Sequence, residues 1–254
     1  MSHAPFSQEL VNRLAHAQRV AVLTGAGISA ESGIPTFRDP GGLWKQFKPE
    51  ELANVRAFLN NPELVQGWYM HRRSIAREKA PNPGHRALVD LEDIAPDFTL
   101  ITQNVDNLHQ RAGSKNVEEL HGNITRSYCI DCGTPATEED LSPLASGSAA
   151  RCSACDGYTR PDVVWFGEML PEGVMERAGE AAQQAEVFLS IGTSAVVYPA
   201  AGLPLLAKDS GAYVAEVNIQ ASAIADYLDE VVLGKAGTVL PMLVDAVKKG
   251  IRHR

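Results

Sequence analysis

Two hydrophobic rhythms alternate along this chain. Leu10, Val11 and Leu14 fall at helical spacing within 7–17, and Arg19-Val20-Ala21-Val22-Leu23 follows as a short β-branched run. Asn61-Pro62-Glu63 opens a helix to about Lys79, since proline is favoured in a first helical turn, with an apolar stripe of Val65, Trp68 and Ile75. Asn82-Pro83-Gly84-His85 caps another helix, through about Ile94. Buried strands are predicted over 97–102, 117–120, 187–191 and 213–217, with a short edge-like run at Val231 to Leu233. Arg160 to Glu168 reads as a strand and turn, Pro171 starts a helix to about Gln184, Pro199 begins another, and 238–249 closes the chain. Strands alternating with helices imply an α/β fold, a Rossmann-like parallel sheet with helices on both faces.

The first strand runs into Gly25-x-Gly27-x-x-Ala30, the pattern of a dinucleotide-binding turn. Gly25 suits a tight turn, Gly27 lets backbone N–H groups approach a pyrophosphate, and Ala30 lets the next helix pack on the sheet. The pattern alone also fits any tight strand-to-helix turn. A dinucleotide fold usually shows an acidic residue about 20 residues on. Here a Pro- and Gly-marked loop follows instead, Ile34 to Trp44, carrying Phe37 and Arg38. Its aromatic and arginine content suits a lid better than a linker. Strand ends at Gln103-Asn104-Val105-Asp106, Gly192-Thr193-Ser194 and Asn218 present polar or small residues, where parallel sheets bind ligands. Asp106 or Asn107 would equally serve as a helix cap.

Four cysteines, Cys129-x-x-Cys132 and Cys152-x-x-Cys155, are separated by 19 residues and are all the chain contains. Two such pairs point to one structural Zn2+ with every tetrahedral position filled by sulfur; two disulfides or a redox pair are the rival readings, and the absence of a signal pattern argues against disulfides. The segment between them, 133–151, reads as a small mobile excursion. The 254 residues carry 44% hydrophobic residues, enough for a core, and a net charge of −8 without a basic patch, which argues against direct nucleic-acid binding. The longest apolar stretch, Ala195 to Ala207, is interrupted by two prolines and too short to span a bilayer. No basic-then-apolar signal opens the sequence, so a soluble, cytoplasmic protein without membrane partners is expected, read as a monomer.

Two residues stand out before any resemblance is invoked. Arg72 lies four after Trp68 and three before Ile75, on their face of the helix, with Tyr69 as its neighbour. It either makes an internal salt bridge or forms, with Tyr69, a fork for a ligand carboxylate. His121 ends a predicted strand, as a structural histidine or as a proton carrier beside the crevice.

Taken together, Gly25-Ala26-Gly27-Ile28-Ser29-Ala30, Pro35-Thr36-Phe37-Arg38, Thr102-Gln103-Asn104-Val105-Asp106, His121-Gly122, the four cysteines, Gly192-Thr193-Ser194 and Asn218 resemble, in order and spacing, the sirtuin family. The resemblance spans 20–240. It implies a dinucleotide-binding domain over 1–36, 81–125 and 158–254. It also implies a small domain made of a helical module, 37–80, and a zinc ribbon, 126–157. It implies NAD-dependent removal of acyl groups from lysines of other proteins, with NAD consumed. By resemblance the NAD contacts run through Gly25 to Glu31, Pro35 to Arg38, Trp44, Gln103 to Asp106, Gly192 to Ser194, Asn218, Ile219, Gln220 and Ala236. Lys235-Ala236 departs from the proline frequent in relatives before the small residue. Asn104 would orient the ribose, Asp106 would lie in the nicotinamide pocket and His121 would act as general base. Phe37 would shield the reactive centre, and Arg38 would hold phosphate or order the loop. The substrate backbone would pair with Phe166-Gly167-Glu168 and Val197-Tyr198.

Tyr69-x-x-Arg72 has the spacing of the sirtuin subgroup that removes succinyl and malonyl groups, and Ala53 falls where that subgroup has a small residue. A carboxylate so held contributes about 2–3 kcal/mol. The expectation is therefore desuccinylation and demalonylation alongside deacetylation, with nicotinamide and O-acyl-ADP-ribose as products. Rival readings are a plain deacetylase with Arg72 structural, a sirtuin-fold ADP-ribosyltransferase, a zinc-bearing dehydrogenase and an NAD-binding adaptor.

Overall fold

The structure is a computed structural model and describes residues 4–36 and 52–252. Helix α1 (Gln8–His16) is capped by Ser7, whose hydroxyl accepts from the Leu10 amide, and leads into β1 (Arg19–Thr24) and the single turn α2 (Ala26–Ala30). Helices α3 (Val55–Asn60), α4 (Pro62–Glu78) and α5 (Pro83–Glu92) follow. Next come β2 (Asp97–Thr102), α6 (Leu108–Ala112), β3 (Val117–Glu119) and β4 (Gly122–Cys129). A short helix α7 (Glu138–Leu141) precedes β5 (Thr159–Val163), and α8 (Val174–Gln184) precedes β6 (Val187–Ile191). The chain ends with α9 (Leu203–Asp209), β7 (Tyr213–Asn218), β8 (Glu230–Leu233) and α10 (Ala236–Arg252).

Six strands form one parallel sheet in the order β3-β2-β1-β6-β7-β8, and β4 and β5 form a separate antiparallel pair. The central strands β1 and β6 are apolar on both sides because helices cover both faces. One face carries Leu10, Leu88, Leu100, Leu189 and Leu243; the other carries Leu23, Ile101, Phe188, Ala178 and Leu203. A third cluster, with Phe58, Val65, Tyr69, Ile124 and Trp165, joins α3 and α4 to the antiparallel pair. The strand order reverses between β1 and β6, so a crevice opens at their carboxyl ends.

Several expectations need correction. The helix predicted from Pro171 begins at Val174, after Gly173 at φ 73°. The helix from Pro199 starts as a 3-10 turn over 200–202 and becomes α-helical only at Leu203. The excursion 133–151 is built rather than loose: Thr137 and Asp140 form a reciprocal cap, Asp140 also accepts from the Ser153 amide, and Leu141 is buried. The buried face of α4 holds the predicted Val65, but beyond it runs one position away from the predicted stripe, through Gln66, Tyr69, Arg73 and Ala76; Trp68, Arg72 and Ile75 are half-buried. Among the described residues no helix is long and apolar enough to cross a membrane.

Candidate active site

The crevice is made first of backbone. Gly25 N–H donates to Ile191 O at 3.0 Å and Gly27 N–H to Gly192 O at 2.8 Å, so the turn after β1 lies directly on the turn after β6. A Cβ on Gly27 would fall 2.7 Å from Gly192 Cα, and one on Gly25 2.8 Å from Gly192 O. The glycines are thus required by loop-on-loop contact. Gly25 itself is extended, at φ −124°. The Gly27 amide is itself bound within the protein. Ala30, expected to let the helix pack on the sheet, is exposed. Glu31 accepts from the Gly237 amide at 2.8 Å and ties the turn to α10, whose first residue, Ala236, is buried. Pro35 and Thr36 follow without regular structure, whereas Phe37, Arg38 and Trp44 lie outside the described residues.

Side chains then lock the loops together. Asn104 Nδ2 donates to Gly25 O at 3.0 Å, and Ser29 Oγ donates to Asp106 Oδ2 at 2.7 Å. Gln103 Nε2 reaches Thr193 Oγ1 at 3.1 Å, and Asn218 Nδ2 donates to Thr193 O at 2.9 Å. Asn218 therefore spends its amide inside the protein. Val105 O accepts from the Ile124 amide and Ile28 is buried. Ala26 is half-buried, and Ser194, Ile219 and Gln220 are exposed. Burial raises the Asp106 carboxyl above the usual range, opposed by the Ser29 and Leu108 hydrogen bonds and by Arg72.

His121 follows β3, held by the sharp Gly122 turn at φ 76°. Its Nδ1 lies 3.0 Å from Gln103 O, and a carbonyl only accepts, so Nδ1 carries the proton and Nε2 keeps its lone pair. Burial moves the imidazole below its ordinary value, with the Gln103 bond pulling the other way. His121 is thereby a neutral base near pH 7. Behind the crevice, His109 meets Thr24 Oγ1 at 2.9 Å and packs on His85, which burial lowers to about 4. Sequence reasoning gave His85 only a capping role and overlooked His109; a histidine two residues beyond Asn107 was the available signal.

The acyl-side candidates lie in the third apolar cluster. Tyr69 is 4% exposed, and its Oη accepts from Trp165 Nε1 at 3.0 Å. The Arg72 guanidinium lies 4.7 Å over Trp68 and 5.5 Å over Tyr69, with Tyr69 and Asp106 as its favourable electrostatic neighbours. Its neighbour Arg73 is bound within the protein, donating to Ile124 O at 2.7 Å and Arg126 O at 2.9 Å. Ala53 is buried and its carbonyl accepts from the Phe166 amide at 2.9 Å; the Glu168 amide is bound to Trp165 O at 3.0 Å. Two amides of the stretch expected to pair with a substrate backbone are therefore taken. Gly167 sits at φ 86°, and Glu168 turns its carboxylate onto Arg160. Phe166 and Tyr198 are exposed, and Val197 is half-buried.

The four cysteine sulfurs lie within 4.8 Å of one another, with Cys129–Cys155 at 3.4 Å and Cys132–Cys152 at 3.8 Å. A tetrahedral Zn2+ with Zn–S near 2.3 Å needs sulfurs about 3.8 Å apart, so the thiols fit one structural ion.

Residues 25–199 match the profile of the Sir2 family. The chain belongs to that family. Among Sir2 relatives, NAD-dependent protein deacylase 2 of Pyrobaculum aerophilum is 49% identical over 245 residues, covering 95% of this chain and 96% of the relative. NAD-dependent protein deacylase of Aquifex aeolicus is 50% identical over 230 residues, covering 91% and 95%. A crystal structure of a Sir2 homologue–NAD complex is 42% identical with a TM-score of 0.90, covering 99% of this chain and 98% of that one. The sheet order, separate antiparallel pair and cysteine cluster are those of a Sir2 fold.

Proposed function

We propose that this Sir2 chain is an NAD-dependent protein-lysine deacylase that removes succinyl and malonyl as well as acetyl groups, releasing nicotinamide and O-acyl-ADP-ribose. The observation that carries the deacylase reading is the tautomer of His121. A half-buried imidazole with Nδ1–H held by Gln103 O offers Nε2 as a proton acceptor beside the Gly25–Asn104–Asp106 cluster. Bound NAD supplies an electrophilic ribose carbon and a leaving group. Asn104, Asp106 and Ser29 would orient the ribose and nicotinamide ends. The loops at Gly25–Thr36, Gly192–Ser194 and Asn218–Gln220 would line the nucleotide, and His121 would take a proton from a ribose hydroxyl. We take the division into a dinucleotide-binding domain (1–36, 81–125, 158–254) and a small domain (37–80, 126–157) as the working plan. The acyl-lysine would enter between them past Phe166 and Tyr198.

The acidic-acyl preference is supported by Tyr69 and Arg72 acting as a pair. Both are on α4, close to one another, with Ala53 in the same cluster as Tyr69. A guanidinium and a phenol so drawn out of water suit a carboxylate better than a methyl group. Acetyl-, succinyl- and malonyl-lysine peptides incubated with and without NAD test both parts. The expected result is NAD-dependent loss of all three acyl groups, fastest for the acidic ones. ADP-ribose gained by a target protein, or absorbance at the reduced-nicotinamide band, would replace the reading with a transferase or a dehydrogenase.

A further inference from the structure

Trp165 does more than fill the third cluster. Its indole N–H can only donate, so the 3.0 Å contact with Tyr69 Oη has one direction: indole to phenol. That bond occupies an acceptor position of the hydroxyl and leaves the single phenolic hydrogen for a second partner. The indole cannot swing away from this duty. Trp165 is 2% exposed, its ring lies 5.1 Å from Phe58, and the Arg160 guanidinium sits 3.7 Å above it. Its own amide donates to Glu168 Oε2 at 2.8 Å, and the same oxygen accepts from Arg160 at 2.8 Å. An ion pair between buried Arg160 and half-buried Glu168 therefore clamps the tryptophan, and the tryptophan orients the tyrosine.

We propose that Trp165 is a positioning residue that sets selectivity for acidic acyl groups, by committing the Tyr69 phenolic hydrogen to a ligand carboxylate; this rests on the acidic-acyl reading above. A succinyl or malonyl group ends in an acceptor for that hydrogen. An acetyl group ends in a methyl, and the relay does nothing for it. A hydroxyl that accepts one hydrogen bond while donating another is also the stronger donor, so the indole contact reinforces the phenol at the point where it meets the ligand.

Trp165→Phe removes the N–H and keeps an aromatic ring. Benzothienylalanine placed at position 165 keeps the whole bicyclic shape, with sulfur where the N–H was, should the phenyl pack badly. KM and kcat are measured for succinyl- and acetyl-lysine peptides, in the wild-type and Tyr69→Phe backgrounds, together with KM for NAD. The expected result is a roughly three- to tenfold rise in KM for the succinyl peptide alone, kcat and the other constants holding within about twofold, and no further rise once Tyr69 is Phe. Equal changes on both peptides, or the same change without the Tyr69 hydroxyl, would reduce Trp165 to packing. If Tyr69→Phe shifts the succinyl-to-acetyl ratio and the position-165 variants do not, only the relay falls. If Tyr69→Phe leaves the ratio unchanged, or the wild type ignores succinyl peptides, the acidic-acyl reading falls and takes the relay with it.

Discussion

The nucleotide crevice and the acyl side of this protein are built from different material. In the crevice, main chain lies on main chain: the Gly25–Gly27 turn and Gly192 touch so closely that no Cβ fits between them. On the acyl side, position is set by side chains: Trp165 to Tyr69, Arg160 to Glu168, and Gln66 of α4 bridging Ala150 O and Thr159 O at 2.9 and 2.6 Å. A backbone-made site tolerates little change and serves every substrate alike. A site made of side chains can be retuned one residue at a time. The difference separates turnover from selectivity, and substitutions should show that separation.

His121→Ala is the largest expected effect. It should lower kcat on every acyl peptide by on the order of 10²–10⁴, with thermal melting unchanged. Acid should break the crevice side next. The unfolded chain takes a proton on His85 near pH 6.5, whereas the folded chain refuses it until about 4. Stability should therefore be whole above pH 6.5 and fall by about 3 kcal/mol as pH drops to 4, read from urea midpoints. His85→Asn, which cannot take that proton, should lose that part of the pH dependence.

On the other side, Arg72→Met should cost desuccinylation about 2–3 kcal/mol more than deacetylation, a tens-fold change in the ratio of kcat/KM values. Equal losses would make Arg72 structural. Gly27→Ala should lower stability by about 1–3 kcal/mol through overpacking against Gly192, and raise KM for NAD without altering the acyl ratio. The smallest effect sharpens the role of His121. Because burial holds its imidazole below the ordinary value, the acid limb of kcat/KM should lie below pH 6.5 and disappear in His121→Ala.

The strands and the principal helices were legible because burial on both faces of a parallel sheet forces long apolar runs, as in Val187–Ile191. The cysteine cluster was legible because zinc demands one ligand type at one spacing. The strand over 122–129 was less visible. Its partner is 159–163, across the whole cysteine excursion, and its polar residues pair with Asp162 and Glu119 rather than alternating with apolar ones. On α4, spacing put Arg72 on the stripe with Trp68 and Ile75, yet its neighbour Arg73 leaves less of its surface exposed. Carbonyls of Ile124 and Arg126, some fifty residues away, receive Arg73 and make its burial possible.

By itself, then, the sequence determined the succession of the main strands and helices along the chain, the glycine turns, the zinc thiols and the set of polar strand ends, since each depends on local periodicity or on a fixed ligand chemistry. Only the tertiary structure decided which turn each glycine accommodates, which tautomer His121 adopts and which donor orients Tyr69. Those choices are made by atoms distant in the chain, Gly192 against Gly27, Gln103 against His121 and Trp165 against Tyr69, and a hydrogen bond takes its direction from the partner that folding brings to it.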